Sequence, residues 1–325
     1  MLLVVPSPNP ALRVRLMVGL VLVTGLGACG STQSVVETRA HAHVPAPEQQ
    51  RSARTGQPDT DTLVPLGVAA AERLLAARAA LAAADYARAR DGFQRAIELA
   101  PGHPAPLIDI AHVATLLGDH AQATLYAERA VEVTPQSRHA VLALIQCRLT
   151  EGRRPDALRR AQALAERHPD DANVMYALAQ AYWSLTRTSD TVDALYVAKR
   201  LAPDDVQIDI ALVAVWARMP AALDGWPIAE ALAVSNPDHP DVLTALAVAA
   251  EVRGDYAHAE RLYKRAVEVR PQQAWAHYNL AQLLIHLDRQ SDARPHFQAF
   301  LKVAEPSAGR QIGAARASLK ELNSP

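Results

Sequence analysis

The sequence predicts an all-α, right-handed superhelical solenoid of about seven helix–turn–helix repeats, and three observations support this fold class. A proline recurs every 34 residues, which is the length of a two-helix repeat. Apolar residues make up 50% of the chain but aromatic residues only 5%, so alanine and leucine supply the burial, as in closely packed helices. Alanines also recur in phase with the prolines on both predicted helices of the repeat. The six prolines are Pro101, Pro135, Pro169, Pro203, Pro237 and Pro271.

The first element is a predicted secretory signal peptide over residues 1–28. Two arginines, Arg13 and Arg15, precede an apolar run over 16–23, and small residues follow it up to Cys29. Charged, apolar and small-residue regions stand in this order in secretory signals. The apolar run is shorter than the stretch that spans a bilayer comfortably.

The signal ends in the sequence LGAC, which resembles the lipobox of bacterial lipoproteins. That resemblance implies cleavage before Cys29 and acylation of its thiol and its new amine, so that two or three chains anchor the protein. Gly30 follows the cysteine, where lipoproteins retained in the inner membrane often have aspartate. The expected location is therefore the outer membrane, with the folded part facing the periplasm.

The second element, residues 29–66, is predicted to be a lipidated, disordered tether. Residues 30–66 contain no Phe, Trp or Tyr and are rich in Ser, Thr, Gln, Pro and Ala, so they cannot form a core. A flexible chain of this length reaches roughly 35 Å, which would hold the folded part clear of the lipid headgroups.

The third element is the repeat array, predicted over residues 67–305. In the clearest unit, Gly254 and Asp255 form the turn, and Ala259, Tyr263 and Ala266 form one helical stripe at i, i+4 and i+7. This pattern resembles the tetratricopeptide repeat (TPR), in which the alanines let helix B approach helix A closely. Alanine recurs on helix B at Ala89, Ala123, Ala157, Ala259 and Ala293, and on helix A at Ala77, Ala111, Ala179, Ala247 and Ala281.

The ends of the repeats carry their own signals. Proline ends helix B, and the aspartates that follow it (Asp170, Asp171, Asp204, Asp205 and Asp238) are predicted to cap the next helix A. The last segment, 306–325, has one apolar helical stripe and is predicted to be a polar-backed capping helix and tail.

The third, fourth and fifth repeats depart from the pattern, the fifth most of all. It has Met219-Pro220 at its turn and Trp226-Pro227 where helix B should begin. Two interpretations are open: a lengthened turn between helices A and B, or a partner-contacting loop with Trp226 as its anchor.

Composition and motifs argue against catalysis and several ligand classes. The formal net charge is −1 and no stretch is strongly basic, which disfavours nucleic acid as a partner. The sequence has no phosphate-binding loop, no zinc-protease motif and no hydrolase nucleophile motif, and its twelve histidines show no ligand spacing. We therefore expect no enzyme activity, no cofactor, no metal and no small-molecule substrate.

The TPR resemblance implies a concave groove lined by the helix A faces. Amides there can pair with the backbone of an extended peptide, and aromatic residues can hold its side chains. The predicted groove residues are His112, His139, Gln146, Asn173, Tyr176, Gln180, Trp183, Trp275, Tyr278, Gln282 and His286.

The expected function is a non-catalytic scaffold with protein or peptide partners in the cell envelope. Lipoproteins of this design resemble the pilotin and assembly factors of type IV and tight-adherence pili, which help a secretin ring assemble. Two alternatives stay open: an adaptor for peptidoglycan hydrolases or synthases, and a component of an exopolysaccharide export complex.

Overall fold

A computed structural model describes residues 66–217 and 226–322 of the chain. Fifteen α-helices follow one another there, without any strand in these two ranges, so the predicted all-α fold is confirmed. The predicted signal peptide (1–28), the lipid site Cys29 and nearly all of the tether (29–66) lie outside the described residues. So does the predicted turn of the fifth repeat at Met219-Pro220.

The helices form seven consecutive pairs, repeats one to seven, in which the odd-numbered helix is helix A and the even-numbered one is helix B. A last helix, α15, follows the pairs after a short 3₁₀ turn at Pro306–Ala308. The helices are α1 (Val68–Ala82), α2 (Tyr86–Leu99), α3 (Pro104–Leu116), α4 (His120–Val133), α5 (Arg138–Thr150), α6 (Arg154–Arg167), α7 (Ala172–Ser184), α8 (Thr188–Leu201), α9 (Val206–Trp216), α10 (Trp226–Ser235), α11 (Pro240–Val252), α12 (Tyr256–Val269), α13 (Ala274–His286), α14 (Gln290–Val303) and α15 (Gly309–Leu322).

Side-chain caps start many of these helices, as the sequence predicts. Asp171 accepts hydrogen bonds from the backbone N–H groups of Asn173 and Val174 at 2.8 and 3.1 Å, and Asp205 accepts one from Gln207 at 2.9 Å. The prediction is wrong for Asp238, because the N-cap of α11 is His239 and the Asp238 carboxylate pairs with Arg265 instead.

The turns between helices A and B need a left-handed residue. Gly118, Gly152 and Gly254 supply it with φ of 78°, 77° and 82°, a region that glycine enters without steric cost. Repeats one, four and seven place Ala84, Thr186 and Asp288 there at positive φ.

The two predicted alanine rows form the seams of the array. The five alanines on helix B are fully buried, and the five on helix A are at most 2% exposed. Large residues fill the space beside them: Phe93, Tyr263 and Phe297 are all 0% exposed in repeats one, six and seven. Burial is therefore repeated unit by unit rather than gathered in one central core.

The array curves so that the A helices lie on its inner side. Consecutive A helices contact each other at most of the repeat junctions, whereas consecutive B helices make no comparable contact in the described residues. The junction between repeats four and five differs, because helices α7 and α9 do not make this contact. The fifth pair also departs: α10 is the shortest helix of the array and packs only lightly on α9.

The C-terminal helix α15 packs against α14, with Ala315 fully buried and Gln311 only 6% exposed. Ala308, in the 3₁₀ turn before it, joins the same core as the last repeat. Among the described helices, none is long and apolar enough to cross a membrane.

Candidate binding surface

The candidate site is the inner surface, formed by the side chains of the A helices that face the inside of the curve. Helical periodicity places one residue of each turn on this face, and the 34-residue repeat brings the corresponding residue of each unit into line. Two recesses open on this surface, and each lies between the A helices of neighbouring repeats.

The first recess, between repeats four and five, has an empty volume of about 240 Å³. Three predicted groove residues, Tyr176, Gln180 and Trp183, line one side of it. All three lie on α7 and are half-buried, so each keeps some contact with solvent. The rest of the lining was not predicted and consists of Ala179, Thr191, Leu195, Ala211 and Val215.

The hydroxyl of Tyr176 is the unusual polar group of this recess. It is buried, and no hydrogen bond of good geometry reaches it. Burial raises the pKa of Tyr176 to about 12, the negative charge of Asp205 adds to the rise, and Gln180 on the next helical turn opposes it. The phenol is therefore neutral at physiological pH, and the recess offers it as a hydrogen-bonding group.

The second recess, between repeats two and three, has an empty volume of about 290 Å³. The predicted groove residues His112 and Gln146 come from neighbouring repeats and meet here. Ile108, Ala111, Thr115, Ala143 and Cys147 complete the lining.

Burial shifts the pKa values of three ionisable groups in and around the second recess towards their neutral forms. Burial lowers the pKa of His112 against the opposing effect of Asp109, and burial raises the pKa of the Cys147 thiol to about 11. Asp109 itself has a raised pKa, mainly because it is buried, although Arg78 holds it in a 2.6 Å ion pair that opposes the rise. A thiol in this state is not a nucleophile at neutral pH.

The remaining predicted residues of repeats three and four lie outside the recesses. His139 and Asn173, near the first turns of α5 and α7, are exposed at the surface. They can contact a partner that extends beyond a recess.

In repeat seven, the structure differs from the predicted groove. Tyr278 is only 9% exposed and packs with its ring centroid 5.0 Å from that of Phe300 and 6.2 Å from that of Phe297. Trp275 is half-buried in the same cluster, 6.2 Å from both Tyr278 and Phe300. Tyr278 is therefore a core residue rather than a groove residue, because the large rings of helix B close over it.

Two other residues of repeat seven stay open to solvent to different degrees. Gln282 is half-buried. His286 is exposed, and its ring meets that of Tyr256 edge-on with the ring centroids 5.0 Å apart.

In the fifth repeat, Trp226 is the first residue of α10 rather than part of a loop, since Pro227 fits the first turn of a helix. The side chain of Trp226 lies outside what the structure describes.

The two recesses of the inner surface offer both apolar and polar contacts. The recesses combine apolar walls with amide, hydroxyl and neutral imidazole groups, which suit an uncharged partner segment. Within residues 66–217 and 226–322, no group of three or more His, Cys, Asp or Glu side chains could hold a metal ion.

Comparisons with known proteins agree with the repeat geometry. Profiles of the tetratricopeptide repeat match residues 142–206 and 252–319, so the predicted repeats are confirmed in these segments. A crystal structure of a tetratricopeptide repeat protein from Parabacteroides merdae aligns with 79% of this chain and 100% of its own, at 12% identity and a TM-score of 0.61. Yeast Tom70 aligns over 80% of this chain and 66% of its own, at 14% identity and a TM-score of 0.54.

These identities establish the fold alone, and no curated protein matches the sequence. The fold is that of a TPR solenoid, and such domains generally bind protein or peptide partners. TPR proteins are typically non-catalytic scaffolds.

Proposed function

We propose that this protein is a non-catalytic scaffold that binds an uncharged segment of a partner protein along its inner surface, centred on the recess of repeats four and five. One observation carries the proposal. Tyr176, Gln180 and Trp183, an amide between two aromatic residues, line one open recess on the side where consecutive A helices face each other. Apolar walls favour burial of a partner side chain, and the amide and phenol supply hydrogen bonds to its backbone.

We further propose that the scaffold is held at the outer membrane through lipid on Cys29 and faces the periplasm. The LGAC sequence after an apolar run and the glycine at position 30 support this location. A tether of about 37 residues would let the array reach partners at the membrane or in the periplasm. On the resemblance to pilotin and tight-adherence lipoproteins, the partners belong to a pilus or secretin assembly.

The binding part is tested by site-specific photo-crosslinking in the native envelope. A photoreactive amino acid at Gln180 should yield a crosslinked partner, because this residue lines the recess. The matched control is Tyr196 on helix B of the same repeat, which is 47% exposed, does not line the recess and should yield none of that product. Tyr176→Ala with Trp183→Ala should abolish the Gln180 product while the helical circular dichroism signal is retained.

Identical products from positions 180 and 196 would contradict the recess as the binding site. Persistence of the Gln180 product in the double alanine variant would contradict it as well.

The anchor is tested separately by metabolic labelling with radioactive palmitate. The native chain should incorporate label and fractionate with outer membranes, and Cys29→Ser should lose both properties. Label that remains on the serine variant would rule out Cys29 as the acylated residue.

A further inference from the structure

The two ends of the array contact each other. The 3₁₀ turn Pro306–Ala308, which follows repeat seven, lies against α3 of repeat two. A β-carbon placed on Gly118 would stand 3.6 Å from the Cα atom of Ser307 and 3.7 Å from the carbonyl oxygen of Pro306. These are van der Waals distances, so the turn after α3 and the segment after α14 touch.

A polar contact accompanies this one. The hydroxyl of Tyr86, at the start of α2 in repeat one, interacts with the carboxylate of Glu305. Partial burial raises the pKa of Tyr86, and the neighbouring charge of Glu305 adds to the rise. Partial loss of hydration also raises the pKa of Glu305, although its side chain keeps solvent contact.

The positions of these residues show how the array is closed. Gly118 lies in the turn between helices A and B of repeat two, and Tyr86 directly follows that turn in repeat one, so both lie on one edge of the solenoid. Glu305 and Ser307 follow a helix B and so lie on the opposite edge. The array therefore curves far enough for the edge of its last repeat to rest on the edge of its first two.

This closing contact is small and separable. Glu305, Pro306 and Ser307 all stay exposed, whereas the junctions between repeats bury fully enclosed alanines and aromatic rings. Ala308, only 7% exposed, fixes the segment to the core of repeat seven, so the segment moves with that repeat. The curvature of the array cannot open without separating the two edges.

We propose that Glu305–Ser307 is a latch: it holds the solenoid in a closed turn against Tyr86 and Gly118, and its release widens the inner surface for a partner. The consequence for partner binding rests on the function proposed above. The latch itself can be measured without any partner, so the two proposals can fail independently.

The chain offers a matched pair of variants, because Tyr256 and Gly254 of repeat six occupy the same repeat positions as Tyr86 and Gly118. Both glycines have left-handed backbone, which asparagine tolerates, but nothing lies within 4 Å of a β-carbon at Gly254. Tyr86→Phe with Gly118→Asn removes the hydroxyl and inserts an amide between the edges. Tyr256→Phe with Gly254→Asn makes the same changes away from the latch.

The distance between the edges is measured by double electron–electron resonance on the full-length chain in detergent. Spin labels are placed at Gln122→Cys and Arg310→Cys, two exposed sites on the facing edges, with Cys29→Ser. Cys147 stays, since its thiol is buried and its pKa is about 11.

We expect a short, narrow distance distribution in the otherwise native chain and in the repeat-six variant, and a longer, broader one in the latch variant. A long or broad distribution in the native chain would overturn the closed turn, and this result does not depend on any variant folding. An unchanged distance in the latch variant, or an equal shift in the repeat-six variant, would show that these contacts do not hold the edges together.

Discussion

Repeats four and seven carry tyrosine and glutamine at the same positions of helix A, but the two tyrosines have different surroundings. Tyr176 and Tyr278 stand three periods of 34 residues apart, as do Gln180 and Gln282. Tyr176 lines an open recess, whereas Tyr278 is buried in a cluster of aromatic rings. Identical helix A residues therefore do not decide whether a repeat offers a binding site.

Helix B makes the difference. Repeat seven places Phe297 and Phe300 on helix B, and both are fully buried beside Tyr278. Repeat four has Leu195 and Ala198 at the corresponding positions, 102 residues earlier. The smaller side chains leave space that the next A helix does not fill, and Leu195 lines the recess that results.

The largest loss of unfolding free energy should come from replacing Phe300 of repeat seven by alanine, the residue that repeat four has at the corresponding position, Ala198. Phe300→Ala removes a fully buried ring and leaves a cavity beside Tyr278, which should cost about 3–5 kcal/mol of unfolding free energy. Urea unfolding followed by hydrogen exchange in α13–α15 measures this loss and its location. A loss below about 1 kcal/mol would mean that the rings are not what closes repeat seven.

Removing the hydroxyl group of Tyr263 or of Tyr176 should change the unfolding free energy less, and the two changes should differ. Tyr263→Phe removes a hydroxyl that donates to Glu251 at 3.1 Å and should cost about 1 kcal/mol. Tyr176→Phe removes a buried hydroxyl without a partner of good geometry, so it should leave stability unchanged or raise it. Equal losses in the two variants, measured by urea unfolding, would show that Tyr176 is as well bonded as Tyr263.

Filling the recess should change binding more than stability. Leu195→Phe gives repeat four the ring that repeat seven has at the same position, and because Leu195 lines the recess the larger ring should occupy part of it. We expect a loss of about 1–3 kcal/mol of unfolding free energy, because a larger side chain enters a packed site, together with loss of the crosslinked product at Gln180. The conservative control is Leu195→Met, which should retain the product; loss in both variants would point to a general effect of altering Leu195.

The sequence predicted the helices and their 34-residue repeat well, because residues close together in the sequence determine them. Proline, left-handed glycine and small alanines act within one unit, and repetition shows their register. The two recesses and the closing contact depend instead on contacts between different helices and repeats. The predicted place of Tyr278 in the groove rests on the helix A face of the TPR pattern, while its burial comes from Phe297 and Phe300 on the next helix. The larger helix B residues at positions 297 and 300, compared with those at 195 and 198, were the signal that could have separated the two sites.

Acidification should weaken repeat seven and leave repeat four unaffected, because a histidine pair, made of the buried His277 and the half-buried His296, occurs only in the former of these two repeats. The ring nitrogen Nε2 of His277 lies 3.0 Å from the carbonyl oxygen of Pro271, which can only accept, so this nitrogen carries the proton. Its Nδ1 is then the acceptor for the Nδ1–H group of His296, at 3.0 Å. The pair can take up one proton on His296 without losing this bond, but protonation of both rings would break it.

Desolvation lowers the pKa of His296 below its usual 6.5, His277 and Lys264 lower it further, and only Asp292 opposes them. A group with a lowered pKa in the folded state binds more protons when unfolded. Its contribution to stability is therefore present above about pH 6.5 and is lost as the pH falls through the lowered value. Hydrogen exchange between pH 7.5 and 5.5 should show faster opening of α13 and α14 than of α7 and α8, after correction for intrinsic exchange. His296→Gln should remove the part of this pH dependence that His296 causes; an unchanged profile in that variant would assign the acid sensitivity to other groups.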